Sequence, residues 1–232
     1  MSFFRDYLWA IRSSTRVPVT GAFGQWIAPQ DCAPPTSSAH QPGVGWLVGV
    51  VGCAAFAVLG LLLPVNPFSG FVAAVGSTMA TALLTGGVNE RGLARTAERA
   101  ASLGSFALVL VVLAKLSLLA MLAARSPAAV LGVLLCGHVV SRFWPLLLGG
   151  RISRYTMLVA GAWCVAALTV CVFALGVGSA VAGLLLSAGA WWGMRKWLAA
   201  NESATEETST ASTQQVCEIA FYLGAAIAST AR

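Results

Sequence analysis

Between Thr85 and Arg99 the chain reads Thr-Gly-Gly-Val-Asn-Glu-Arg-Gly-Leu-Ala-Arg-Thr-Ala-Glu-Arg, the most charged run in a very apolar sequence. The Gly86-Gly87 pair punctuates it and ends the helix before it. Arg91, Arg95 and Arg99 recur every four residues, so on a helix they form one basic stripe, with Glu90 and Glu98 on a neighbouring face. Guanidinium groups bind phosphate oxygens through charge-assisted hydrogen bonds. Carboxylates hold the divalent ions that phosphate chemistry uses. This short polar connection between two hydrophobic segments is where a membrane protein would place phosphate chemistry.

A second set of charged groups lies inside apolar segments: Lys115, Arg142 and Glu218. A charge there costs at least ~2.5–3.5 kcal/mol unless it is paired or near water, which makes each a functional candidate. Arg142 falls about six residues from the end of its segment, roughly 9 Å deep. Glu218 enters from the same side, so the two are expected to pair, either for function or as a bridge anchoring the last helix. Lys115 is left to snorkel or to donate to backbone carbonyls. His138, one turn from Arg142, reads as a hydrogen-bonded packing residue, and His40 as an ordinary loop histidine.

The elements that carry these groups follow from composition. The 232 residues are 58% hydrophobic and only 9% charged, with mean hydropathy +0.81. A soluble domain carries about 25% charged residues, so the expected fold is an all-α, polytopic integral membrane bundle in a lipid bilayer. It has room for six or seven spans of ~20 residues and for no separate soluble domain. The net charge of +6 is spread over the ends of apolar runs, a topological pattern and not a nucleic-acid patch. Cys53, Cys136, Cys164, Cys171 and Cys217 lie in apolar runs and Cys32 in a polar loop, without a CxxC or Cys/His cluster. They read as small membrane-helix residues in a reducing compartment. Arg5, Asp6 and Arg12 interrupt the N-terminus, so no signal peptide is expected.

In order, residues 1–19 form an amphipathic helix lying in the membrane interface, with Phe4, Tyr7, Leu8 and Ile11 on one face and Arg5, Asp6 and Arg12 on others. Residues 20–44 are a polar loop. Six spans follow between 46 and 198: roughly Trp46–Leu63, Phe68–Leu84, Leu103–Ala124, Ala128–Leu148, Tyr155–Leu175 and Ser179–Met194. Residues 200–213 read as a polar loop, and 214–230 as a last, short apolar helix. With the N-terminus in the cytoplasm, Arg5, Arg12, Arg16, Arg91, Arg95, Arg99, Arg151, Arg154, Arg195 and Lys196 share one side. Only Arg125, and Arg232 if the last segment crosses, face the other. The bias places the Arg-rich run and the 149–155 loop in the cytoplasm.

Several blocks resemble the cobalamin synthase family, the adenosylcobinamide-GDP ribazoletransferases. They are Ser14-Thr-Arg-Val-Pro-Val19, Pro42-Gly-Val-Gly-Trp-Leu-Val-Gly49, Leu84-Thr-Gly-Gly87, Gly92-Leu-Ala94 and Gly104-Ser-Phe-Ala-Leu-Val109. His138-Val-Val-Ser-Arg-Phe-Trp-Pro-Leu-Leu147 and Gln214-Gln-Val-Cys-Glu-Ile-Ala-Phe-Tyr-Leu-Gly224 complete the set, in the family's order. The polar anchors Arg16, Ser141, Arg142, Gln214, Gln215 and Glu218 carry its specificity. The resemblance implies a cytoplasmic-membrane transferase that joins adenosylcobinamide-GDP to α-ribazole, or its phosphate, with release of GMP. Its substrates would be corrinoid and nucleotide small molecules and its cofactor Mg²⁺. Ser141, Arg142, Gln214, Gln215 and Glu218, with Arg91 and Arg95, would bind phosphate or substrate, and Glu90 and Glu98 would be the metal ligands left.

The chain departs from the family in its acidic signature, of the form His-x-Asp-Gly-x-x-Asp-x-x-Asp-Gly. Around Gly92-Leu-Ala94 its slots hold Arg91, Arg95 and Glu98, and the whole chain has two aspartates, Asp6 and Asp31. Two readings follow from this. The chain is a ribazoletransferase in which Glu90 and Glu98, with Glu206 or Glu207, replace the usual ligands, or it is a non-catalytic scaffold of that family. A transporter is set aside, because no inverted repeat or broken-helix pair is visible.

Overall fold

The computed structural model describes residues 2–18, 36–150, 152–201 and 205–230. Cys32, Arg151, Arg232 and most of the expected 20–44 loop lie outside them. Among the described residues every regular element is helical, and the protein is an all-α polytopic membrane bundle. In lipid this is what the backbone requires, since a helix satisfies its own N–H and C=O groups within one segment.

Helix α1 spans Ser2–Ser14. A 3₁₀ turn, Ser37–His40, leads into α2, Gln41–Leu62, with Pro42 in its first turn, where a missing N–H costs nothing. Then come α3 (Ser69–Thr85), α4 (Val88–Ala101), α5 (Gly104–Arg125) and α6 (Pro127–Val140). A 3₁₀ turn, Trp144–Leu148, extends α6, and α7 (Arg154–Leu175), α8 (Val177–Ala200) and α9 (Glu206–Thr230) follow. Five of these segments are long and apolar enough to cross a membrane, or six if α3 and α4 count as one bent span. Exposed Leu61, Phe106, Phe173 and Leu185 show the apolar exterior that a bilayer selects.

The core centres on α6 and α9, with Val130, Val133, Leu134, Phe221 and Tyr222 buried. Helix α2 approaches α6 closely through Gly45-x-x-x-Gly49, the small-residue pattern that lets membrane helices touch. A Cβ on Gly45 would stand 2.5 Å from the His138 carbonyl oxygen, and one on Gly49 2.8 Å from Leu135 Cδ1.

Four sequence expectations are corrected here. The run after Gly87 is a full helix, because α3 ends on Gly86 and Gly87, both left-handed (φ +70° and +65°), and α4 leaves at 89° to it. That bend is the broken-helix pair the sequence did not reveal. The polar segment 206–213 is the first two turns of α9, buried through Thr208, Ala211, Ser212 and Thr213 against its neighbours. Residues 41–44, assigned to the N-terminal loop, open α2, and His40 before them is fully buried against Phe3 and Tyr7. Finally, Asp6 of α1 points inward: its Oδ2 accepts from Thr36 Oγ1 at 2.6 Å, beside the small core of Ala10, Val44 and Val48. Tyr7 donates to the Gly43 carbonyl at 3.2 Å, and burial pushes its phenol above the ordinary value.

Candidate functional site: a polar core beneath an open cavity

The charges inside the apolar segments converge. Lys115 Nζ of α5 lies 2.6 Å from Glu218 Oε1 of α9, and His138 Nδ1 of α6 lies 3.3 Å from Glu218 Oε2. Tyr222, one turn after Glu218, donates its hydroxyl to Oε1 at 2.9 Å. All four side chains are buried. A buried carboxylate is tolerated only when a cation and hydrogen bonds replace its water, and here Lys115 and Tyr222 do so, with the imidazole of His138 beside them.

Arg142 is not the partner of Glu218 expected from the sequence. Its Nη1 donates to the His138 carbonyl at 2.9 Å, while Glu218 and Glu90 act on it only through space. The reason is depth. Because α9 starts at Glu206, Glu218 sits twelve residues in, roughly 18 Å along the axis, and Lys115, eleven residues into α5, lies at a matching ~16 Å. Lys115 therefore neither snorkels nor serves backbone carbonyls. Ser141 Oγ reaches the same His138 carbonyl at 3.5 Å.

Arg142 instead faces a cavity of about 1490 Å³ that opens at one end of the bundle. Its wall is built from the ends of α1, α2, α4, α6, α7, α8 and α9. Ser14, Gln41, Asn89, Arg142, Arg195 and Gln214 supply much of its polar surface, and Glu206 and Glu207 its carboxylates. The blocks singled out in the sequence meet around it. Ser14 Oγ donates to Gln41 Oε1 at 3.0 Å. The Arg16 N–H donates to the Leu84 carbonyl at 2.7 Å, and its side chain covers Gly86. Gln214 and Arg142 are each more than nine-tenths buried, and Gln214 Nε2 has no partner among the described residues. An amide donor aimed from a dry wall into a cavity is a place for an acceptor oxygen.

Helix α4 lies across the same end, with Gly92, Leu93 and Thr96 buried against α9, where Thr96 Oγ1 donates to the Thr208 carbonyl at 3.2 Å. Arg91 and Arg95 are exposed and border a cleft of only about 80 Å³ with Glu207 and Thr208. Glu90 Oε1 accepts from Gln215 Nε2 at 3.1 Å, and its Oε2 is buried without a partner among the described residues. Glu98 Oε2 accepts from the Gly104 N–H at 2.8 Å, closing the α4–α5 corner. The two expected metal ligands thus serve different contacts. Among the described residues no three His, Cys, Asp or Glu side chains gather where they could share an ion. This donor set does not fit Mg²⁺, which needs convergent carboxylate oxygens.

Comparison with known proteins decides the kinship. Residues 6–103 match the family described as cobalamin-5-phosphate synthase. The adenosylcobinamide-GDP ribazoletransferase of Polaromonas naphthalenivorans (strain CJ2) is 34% identical, covering 98% of this chain and 99% of that protein. Those of Polaromonas sp. (strain JS666 / ATCC BAA-500) and Albidiferax ferrireducens are 35% and 32% identical, each over 97% of this chain and over 97% and 98% of their own lengths. The chain belongs to the adenosylcobinamide-GDP ribazoletransferase family. No solved structure matches it. The first alignment runs over 275 residues against a chain of 232, so this family member lacks segments that its relative has. Within the family frame, sequence reasoning missed Tyr222 and the cavity wall of Ser14, Gln41 and Arg195. Tyr222 had a signal, its place four residues after Glu218 on one helix face. For the wall, Ser14 stood in a quoted block and Arg195 among the basic residues, but nothing local joins them, because the wall is assembled from seven helix ends.

Proposed function

We propose that this protein transfers the adenosylcobinamide-phosphate group of adenosylcobinamide-GDP to α-ribazole or its phosphate, releasing GMP. The observation that carries this reading is the large polar-walled cavity with buried Arg142 and Gln214 beneath it, in a chain akin to ribazoletransferases along its whole length. Arg142 and Gln214 bind diphosphate oxygens at the floor, and Arg195 adds a second cation from α8. The acceptor hydroxyl attacks the phosphorus attached to cobinamide. A new P–O bond forms to the acceptor, the P–O bond to GMP breaks, and the hydroxyl proton passes to Glu206 or Glu207, the carboxylates of the wall. Phosphoryl transfer rests on positioning and on charge neutralisation. With carboxylates that do not fit a metal, neutralisation falls to the arginines.

The same reading places the cavity on the cytoplasmic side of the inner membrane, since Arg16, Arg91, Arg95, Arg154, Arg195 and Lys196 lie on or next to helices at the cavity side and Arg125 closes α5 at the other. Cysteines introduced at Asn89 and Ser153 are expected to resist an impermeant reagent in intact cells, and ready labelling of both would reverse the orientation. Activity is tested with purified protein in nanodiscs, adenosylcobinamide-GDP and α-ribazole, following GMP and the corrinoid product. Stoichiometric formation of both supports the reading. Tight binding without GMP release would make the chain a non-catalytic member.

A further inference from the structure

Arg142 is the cation at the cavity floor, yet among the described residues no carboxylate forms an ion pair with its guanidinium. Its Nη1 rests on the carbonyl of His138, one turn back on α6. The helix is about to change there: α6 ends at Val140, and the chain continues through a turn into the 3₁₀ segment Trp144–Leu148. The carbonyls of Gly137, Val139 and Val140 accept N–H groups from the residues that follow, whereas that of His138 accepts from the side chains of Arg142 and Ser141, so its aim depends on how residue 138 is held. The imidazole of His138 packs against a fixed carboxylate: its Nδ1 lies 3.3 Å from Glu218 Oε2, and Glu218 is pinned by Lys115 at 2.6 Å and Tyr222 at 2.9 Å. From the other side, Gly45 of α2 lets the helix lie directly on the His138 carbonyl. None of Lys115, His138, Glu218 and Tyr222 lines the cavity. The connected path runs Lys115, Glu218, His138, its carbonyl, Arg142 and then the cavity.

We propose that His138, Glu218 and Lys115 are positioning residues, which fix the carbonyl that aims Arg142 and so preset an anion site at the cavity floor for a diphosphate. This deepens the reading of the cavity as a diphosphate site. It moves Glu218 from a substrate-binding to a supporting role. Holding a guanidinium in one geometry before the ligand arrives reduces the ordering cost of binding.

The test uses the full chain in nanodiscs and inorganic pyrophosphate as the probe, read by calorimetry beside a thermal melt of each variant. Arg142→Ala is expected to weaken pyrophosphate binding by about tenfold or more, the size of a lost hydrogen bond to a charged group. His138→Phe should weaken it nearly as much. His138→Asn, which keeps a donor for Glu218, should recover most of the affinity. The double variant Arg142→Ala/His138→Phe should bind no worse than Arg142→Ala alone, because His138 acts only through Arg142. The charge-neutral pair Lys115→Met/Glu218→Gln, which buries no lone charge, should melt close to the unaltered protein yet bind pyrophosphate severalfold more weakly, because the amide is no longer pinned beside His138 by the Lys115 ammonium. Additive losses from Arg142 and His138, or unchanged affinity in His138→Phe, would overturn the positioning role. An unaltered protein that ignores pyrophosphate would overturn the anion site. Pyrophosphate binding with this pattern but no GMP release leaves the inference standing and removes the catalytic reading.

Discussion

Two regions of this protein hold charges under opposite rules. On the outer face of α4, Arg91 and Arg95 stand in the open, and their spacing is a fact of the helix alone. Around Glu218, less than a helix turn of interior holds Lys115, His138 and Tyr222 at fixed distances. The first arrangement costs little to make and little to lose, because water solvates each group. The second exists only because every member has a partner. The family's metal chemistry would be sought on α4, whereas the geometry that this chain specifies most tightly lies in the core below the cavity.

Breaking the core should therefore have the largest effect. Glu218→Ala leaves the Lys115 ammonium buried without a counter-charge and is expected to destabilise the protein by about 3–5 kcal/mol. A thermal melt in detergent should show this as a lowered Tm or as failure to purify folded protein. Lys115→Met/Glu218→Gln removes the charges together and should lose far less. Equal losses from the single and the paired variant would mean that packing, not charge, decides this site.

The same contrast explains what was legible in the sequence. Helix identity and the membrane class follow from apolar run length, which any span must satisfy in lipid. The participants of the core were legible too, since Lys115, Arg142 and Glu218 are costly in apolar segments. Their pairing was not. It depends on register, and register depended on where α9 begins. Polar Glu206 to Thr213 carries no lipid-facing periodicity, so its helical state is set by burial against α4 and α8, which a single sequence does not display. His40 and Asp6 misled for a related reason. Both look like surface residues, and both are buried because α1 folds back onto the start of α2.

Between the two extremes lie two glycines that join core and surface. Gly45→Ala would push a methyl group against the backbone of His138, where no side chain can swing away. Overpacking of this kind costs typically ~1–3 kcal/mol, and the shifted carbonyl should weaken pyrophosphate binding as well. Loss of stability with unchanged binding would separate the helix contact from the aim of Arg142. Gly86→Ala meets a milder obstacle. Its backbone is left-handed, which costs a side chain roughly 1–2 kcal/mol, but the nearest atom is Nε of the flexible Arg16. A modest fall in Tm is expected. A neutral result would show that the bend from α3 to α4 survives another backbone conformation.

The smallest effect should come from the residues that first draw the eye. Arg91 and Arg95 are exposed, stand outside the buried core, and border only a small cleft, so Arg91→Gln/Arg95→Gln should change stability by within about 0.5 kcal/mol. Their consequence, if any, is electrostatic. Both lie on the helix that begins at Val88 and Asn89, in the wall of the cavity, and a phosphate ligand approaching that mouth passes their field. Such steering acts between solvated charges and fades once the Debye length falls to about 3 Å in 1 M salt. The neutralised variant should thus bind pyrophosphate slightly more weakly at low salt and identically to the unaltered protein at high salt. Arg142, buried and prealigned, should keep its contribution under both conditions. If the α4 variant instead lost affinity equally at both, Arg91 and Arg95 would be direct ligands of the phosphate, and the exposed helix, not the buried core, would hold the anion.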